Sequence, residues 1–521
     1  MLFTDPLFLF VFLPVACALF YGLSRLWGAT AGLAVIFAAS MVFYLPWGAF
    51  STGLLITSVV VNFLISQGLL NLPDERRRLR LTLVWGGEGY NLITLIWFKY
   101  HILRAFVLRG GGIEATDLII PAGISFYTFH QAAFLADAYR RDESVVRYLG
   151  GLKTLGDRAA GFVRYAAFVT FFPQLVIGPI TYLKEFQPQV ATKGFGRFRQ
   201  SDIAVGLTLM TIGMFKKLVL ADNLAPYADT VFSHAGDGLA IHPVSGWIGV
   251  FAYYAQLYFD FSGYSDMALG LARMFGLRYP INFFSPLKSV GVVDFYRRWH
   301  MTLTRVISRF LYTPLSLNGT RFAMKRRWPK GPTRMLALWI PLLVNFEVIG
   351  LWHGALWTFV TFGLVHGAWY ILETEARNTK AWKRWKKQSP DWLRTFLGRC
   401  IFLIPMALCF ALFRSESLGA MGHLLKSLFA FDFSIPGAVP FYKAVAMLIG
   451  AFAVIYLMPN SVELLRRWRP GLATYDNPSP AVRWLFPAWR PTWPWALFAG
   501  GLFVWGLYYV SRQPPFLYQG F

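Results

Sequence analysis

The residues best suited to chemistry in this 521-residue chain are histidines and carboxylates set among apolar neighbours. An ionisable side chain inside an apolar segment is expensive to keep there, so it is a functional candidate by default. His353 heads the list, flanked by Trp352 and Trp357 in an otherwise aliphatic stretch. Such surroundings disfavour the imidazolium and leave the neutral ring that a general base requires. A core histidine hydrogen-bonded to a backbone carbonyl fits the same pattern equally well. His366 falls about 220° round and roughly 20 Å along a continuous helix from His353, so it is expected to be structural.

A second constellation is Asp294-Phe295-Tyr296-Arg297-Arg298-Trp299-His300. Adjacent guanidiniums at Arg297 and Arg298, with Trp299 and His300 beside them, suit an interfacial segment that binds a phosphate or other anion while its rings rest at headgroup level. Plain anchoring to lipid headgroups is the competing reading. A third string, Tyr258-Phe259-Asp260-Phe261-Ser262-Gly263-Tyr264-Ser265-Asp266, places Asp260 and Asp266 about 240° apart on a helix. They do not face each other, so each is expected to pair with an arginine such as Arg297 or Arg298 rather than form an acid–base dyad. Asp137, Lys216, Lys217, Asp222 and Glu347 are further semi-buried charges for which pairing is the default. GxxxxGK[ST], HExxH and GxSxG are all absent, which leaves nucleotide hydrolysis, zinc peptidase and nucleophile-elbow chemistry without support. Cys17, Cys400 and Cys409 all sit in apolar segments without metal-ligand spacing, so neither a disulfide framework nor a metal site is expected.

The elements that position these residues are membrane spans. Hydrophobic residues make up 56% of the chain and charged ones only 15%, against about a quarter charged in ordinary globular domains. The net charge of +24 would suggest nucleic acid in a soluble protein. Here the basic residues lie between apolar runs, in Arg76 to Arg80, Arg321 to Arg334 and Arg377 to Lys387, where they mark the cytoplasmic side and argue against a nucleic-acid partner. Spans of about 20 mostly apolar residues are expected near 7–27, 29–50, 52–71, 83–108, 161–181, 203–221, 244–262, 335–350, 353–373, 397–414, 440–458 and 493–511. The start MLFTDP lacks the basic residues of a signal peptide and reads as a retained first span. Stretches 118–138 and 295–318 mix apolar residues with Pro, Gly, His and Arg and read as re-entrant or interfacial.

The fold expected is an all-α polytopic membrane protein with ten to thirteen spans. It forms one domain over 1–521, comprising amino-terminal spans at 1–115, a motif-bearing core at 116–375 and carboxy-terminal spans at 376–521. If the basic loops 321–334 and 377–387 share one side, the 39 residues from Met335 to Glu373 must leave and return as a hairpin, with Gly350 to Gly354 near the turn and His353 deep. The two glycines would there permit close backbone approach or an unusual dihedral.

The strings themselves carry a resemblance. PAGISFYTFHQAAFLADAYR at 121–140, FFPQLVIGPI at 171–180, KKLVLADNLAPYADTVF at 216–232, YFDFSGYSDMALGLARMFG at 258–276, DFYRRWHMTLTRVISRFLYTPL at 294–315 and GLWHGALWTFVTFGLVHG at 350–367 follow one another in family order. So do the start MLFTDPLFLFVFLPV and the final PPFLYQGF. The sequence resembles the membrane-bound O-acyltransferase (MBOAT) family, in the bacterial branch typified by the membrane subunit of alginate O-acetyltransferase. That resemblance implies an MBOAT-type helical core in the bacterial inner membrane. By the same resemblance His353 of the LWHG string is the catalytic histidine and His300 of RRWH the second functional histidine, with Arg297, Arg298, Trp299, Trp352, Asp260 and Asp266 around the substrates.

The reaction so implied takes an acyl group, acetyl first, from a cytoplasmic thioester such as acetyl-CoA to a hydroxyl on the outer side. His353 would remove the hydroxyl proton, and His300 would orient the acceptor or stabilise the developing charge. The basic loops would hold the anionic donor, and no metal or tightly bound cofactor would be required. The expected partners are membrane lipids and an extracytoplasmic acetyltransferase or glycan acceptor. One departure is Ser316-Leu317-Asn318-Gly319-Thr320-Arg321, where the branch usually carries GGNR. D-alanyl or lipid acyl transfer on the same fold is an alternative. A polysaccharide or lipid-linked-sugar transporter is another, although the two halves show no repeated motif order.

Overall fold

The computed structural model describes residues 1–100, 120–430, 440–472, 487–512 and 517, and the secondary-structure elements among these residues are all helical, with one isolated bridge between Pro280 and Leu472. Without water in the hydrocarbon, backbone polar groups must be satisfied within the segment itself, and a helix does this for an apolar run of any composition. Among the described residues six helices are long and apolar enough to cross a bilayer: Phe8–Trp27, Ala29–Trp47, Ala49–Asn71, Gln200–Gly236, Lys330–His353 and Asp391–Arg414. Phe441–Leu457 is a shorter apolar helix.

Other expected spans are helices whose polar groups are buried in protein. Pro243–Met274, for instance, runs 32 residues through Gln256, Asp260, Ser262 and Asp266, all of them buried. The span expected at 161–181 is shorter than it looked. Its helix Leu155–Thr170 ends where Phe171 leaves helical geometry, and the FFPQLVIGPI string continues as one short helical turn, Phe172–Leu175, and buried irregular chain. The stretch at 295–318 begins with the short helix Val292–Phe295 and, after a break at 296–300, continues as one helical run, Met301–Ile307, a π-helical turn Ser308–Tyr312 and Thr313–Lys325.

The chain divides into two compact units, each drawing on separated stretches of sequence. The first gathers Met1–Met214, Tyr264–Ile281 and Ser461–Ser511. Its core is aromatic: Phe3, Phe8, Phe43 and Phe172 pack ring on ring, with Tyr264 stacked on Phe3 at 4.8 Å. Several of its buried polar groups pair with one another, as a low-dielectric interior favours. Asn62 and Asn91 exchange amide hydrogen bonds at 2.9 and 2.8 Å, and Arg273 pairs with Asp202 at 2.8 Å. Thr181 N–H donates to His130 Nε2 at 3.0 Å, so the His130 Nδ1–H donates to the Phe126 carbonyl at 2.8 Å. Gly123 enters helix Ile124–Tyr139 at φ 70°, and a Cβ there would lie 2.2 Å from the Leu175 carbonyl oxygen, which explains the glycine of the PAGISFYTF string.

The second unit gathers Phe215–Gly263, Asn282–Asn460 and the described part of the carboxy-terminal segment. It contains Arg297, Arg298, Trp299, His300, Trp352, His353 and Asp260.

Candidate active site

The hairpin expected from the basic flanks is present. Helix Ile340–His353 turns through residues 354–356 and returns as Trp357–Asn378. Glycines let the two backbones touch. A Cβ on Gly350 would lie 2.3 Å from the Phe359 carbonyl oxygen, one on Gly363 2.8 Å from that of Phe346, and one on Gly367 3.0 Å from the Leu343 side chain. Gly354 is different, because its φ of 166° is ordinary extended backbone. What requires glycine there is the Phe359 ring, 2.8 Å from the place a Cβ would take. At the far end Arg334 pairs with Glu375 at 2.6 Å and Trp339 Nε1–H donates to the same carboxylate at 2.9 Å. The basic helix Lys330–Arg334 and the start of the basic segment at 377–387 are therefore held together, which supports placing them on one side.

His353 is the last residue of the first arm and is buried, with Trp352 beside it, also buried. Its ring centroid lies 4.6 Å from that of Trp352, 4.7 Å from Phe413 edge-on and 6.1 Å from Phe359. Trp352 in turn lies 6.3 Å from the ring of His300. One indole thus lies near both imidazoles, and the two sequence candidates share it as a neighbour. His366 is placed apart, its Nδ1–H donating to the Phe362 carbonyl at 2.9 Å within a cage of Phe346, Phe362 and Tyr296. That is the structural role expected of it.

His300 stands at the head of helix Met301–Ile307 with φ 43° and ψ 50°, a left-handed conformation that costs a non-glycine residue roughly 1–2 kcal/mol. Asn282 holds it there. The Asn282 carbonyl accepts from Met301 N–H at 3.0 Å, and its side-chain Oδ1 accepts from Thr302 N–H at 3.3 Å and Thr302 Oγ1–H at 2.9 Å. His300 Nδ1 lies 3.1 Å from the same Oδ1. The Phe261 ring meets the imidazole edge-on at 4.8 Å. Burial pushes the His300 pKa down to about 3, so the ring is neutral at physiological pH.

The remaining candidates divide. Arg297 is exposed, whereas Arg298 pairs with Asp294 one turn back at 2.9 Å, so its charge is already compensated. Trp299 is not a surface ring. It is buried in a box of Phe283 at 4.9 Å, Phe410 at 5.3 Å and Phe295 at 5.4 Å, because helix Asp391–Arg414 brings its aromatic face over the RRWH segment. Asp260 does not pair with Arg297 or Arg298 either. Lys217 donates to Asp260 at 2.7 Å and to Asp222 at 2.8 Å, and Leu517 N–H donates to the second Asp260 oxygen at 3.2 Å. Lys217 reaches both carboxylates from a π-helical turn, Phe215–Ala221, that leads directly into the helix beginning at Asp222. Asp266 belongs to the first unit and accepts from Ser461 Oγ–H at 2.6 Å.

Two residues that position the site escaped sequence reasoning. Asn282 is one. Glu373 is the other: its carboxylate accepts from Val292 N–H at 2.7 Å and caps the four-residue helix that opens the RRWH segment. Gly291 leaves the room, since a Cβ there would fall 2.5 Å from that carboxylate. Glu373 lies at the polar end of its arm, where the i,i+4 spacing shows its pairing with Arg377, but its contact with the Val292 amide is one that no pattern of side chains reveals.

These features define a class: an all-helical, multi-pass membrane protein with two histidines buried against a shared tryptophan. Sequence comparison places it further. The profile described as MBOAT, membrane-bound O-acyltransferase family, matches residues 110–413, and the chain belongs to that family. It is 36% identical over 345 residues to a peptidoglycan O-acetyltransferase of Helicobacter pylori, covering 62% of this chain and 63% of that protein. To the probable alginate O-acetylase AlgI of Azotobacter vinelandii it is 34% identical over 446 residues, covering 83% and 78% respectively. A teichoic acid D-alanyltransferase of Bacillus subtilis is 26% identical over 241 residues, 45% of this chain and 54% of that protein. The match therefore spans less than two thirds of the Helicobacter relative and more than three quarters of the Azotobacter one.

Proposed function

We propose that the protein transfers an acyl group, acetyl in the first instance, from a thioester donor to a hydroxyl of a cell-envelope glycan, with His353 and His300 as the catalytic pair. The observation that carries this reading is the burial of both imidazoles around Trp352, in a chain whose relatives are named for O-acetyl transfer to alginate and peptidoglycan. A thioester carbonyl is already activated, so the protein must chiefly supply a base, orient the hydroxyl and exclude water. The hydroxyl oxygen attacks the carbonyl carbon, the C–O bond forms and the C–S bond breaks. The hydroxyl proton, taken up by imidazole, passes to the departing thiolate. Under this reading His353 is the base and His300 serves the acceptor.

The donor is acetyl-CoA or another acyl thioester presented from the cytoplasm. Its phosphates would meet Arg297 and the basic segments 321–334 and 377–387, while Arg298, Trp299 and Asp260 maintain the architecture around the site. The protein would sit in the bacterial inner membrane and hand the acyl group to a glycan, either directly or through an extracytoplasmic acetyltransferase. The test is thioester cleavage by the protein reconstituted in vesicles, with acetyl-CoA outside the basic face. Thiol release that requires an added hydroxyl acceptor supports the reading, and no release with any short acyl thioester contradicts it.

A further inference from the structure

The contacts around Asn282 decide which nitrogen of His300 carries its proton. Thr302 N–H can only donate, and the atom it meets at 3.3 Å is Asn282 Oδ1, so the amide oxygen, not the nitrogen, faces His300. The Thr302 hydroxyl donates to the same oxygen at 2.9 Å. An amide oxygen has no proton to give. The 3.1 Å contact from His300 Nδ1 is therefore a hydrogen bond donated by the imidazole, and in the neutral ring Nε2 is left with the lone pair. Asn282 is buried, and its backbone carbonyl also fixes Met301 at 3.0 Å, so the clamp holds both the imidazole and the backbone that follows it.

We infer that Asn282 is a positioning residue that locks His300 in the Nδ1–H tautomer, so that Nε2 receives a hydrogen bond from a hydroxyl of the acceptor. This inference rests on the acyl-transfer reading and chooses between two roles for His300. Stabilising a developing oxyanion would need an Nε2–H donor, which the Asn282 contact denies to the neutral ring. Receiving a hydroxyl is the role the geometry permits.

The test uses the full chain in vesicles, with nitrogen-15 histidine labelling and acetyl-CoA as donor. The signals absent from His300→Gln identify His300. They should report Nδ1 protonated in the wild type and should move towards the Nε2–H form in Asn282→Ala. The same variant should raise the KM for the hydroxyl acceptor about tenfold, the worth of one hydrogen bond, and leave the KM for acetyl-CoA unchanged. Asn282→Asp keeps an oxygen acceptor and so should keep the tautomer. Its negative charge favours the imidazolium, so transfer should recover only towards alkaline pH. An Nε2–H form in the wild type, an unchanged tautomer in Asn282→Ala, or equal changes in the two KM values would overturn the assignment. If the wild type transfers nothing, the acyl-transfer reading fails, and the tautomer signals still test the clamp.

Discussion

At the scale of single residues, the burial that keeps His300 neutral has a pH signature. Its pKa lies at about 3 in the fold, against roughly 6.5 in an unfolded chain. Between those values the unfolded chain binds a proton that the native one refuses, so stability falls as pH drops below about 6.5 and continues to fall towards 3. Thermal unfolding in detergent between pH 7.5 and 5 should show a smaller loss for His300→Gln than for the wild type, and equal losses would refute the assignment. His353 calls for a kinetic test. Replacing a general base costs a factor of about 10² to 10⁴ in rate, so His353→Gln should lower turnover by that factor while leaving thioester binding intact. Of these residues His353 was legible as an imidazole between tryptophans in an apolar run. Asn282 was not, because its importance lies in which atoms face it, and a buried asparagine has no distinguishing spacing.

At the scale of elements, the Met335–Glu373 hairpin could be read from its flanks, since two basic loops on one side force an apolar run of that length to return. The way its arms meet could not, because backbone contact at Gly350 and Gly363 depends on the crossing and not on periodicity. Gly350→Val would drive its side chain into the Phe359 carbonyl, 2.3 Å from the first added carbon. It should cost at least about 1–3 kcal/mol and abolish activity by moving His353. Gly354→Ala, whose obstacle is a ring at 2.8 Å rather than backbone, should be milder in unfolding assays. The Lys217 cluster gives a second test. Lys217→Met leaves Asp222 and Asp260 buried without their cation and should cost about 3–5 kcal/mol. Adding Asp222→Asn and Asp260→Asn should restore much of that loss, and no recovery in the triple variant would show that the ammonium stem, not its charge, is what matters. The partner of Asp260 was misread from sequence because Lys217, 43 residues upstream, and the arginines at 297 and 298 lie at comparable separations, between which spacing does not choose.

At the scale of the whole molecule, composition was enough to fix an all-helical membrane protein, and the ordered strings were enough to indicate its family. Span counting by hydropathy works less well, for a physical reason. The helix Pro243–Met274 is found by hydropathy only over 244–262, because beyond that it carries buried serine and aspartate whose polarity hides its continuation through the core. Whether the histidine pair serves acylation of the cell envelope is decided by measuring ester-linked acetyl on total cell-surface polysaccharide from cells carrying the wild type or His353→Ala, with membrane abundance matched by immunoblot. The acetyl ester should be lost in the variant at equal abundance. Unchanged ester content at equal abundance would contradict that role.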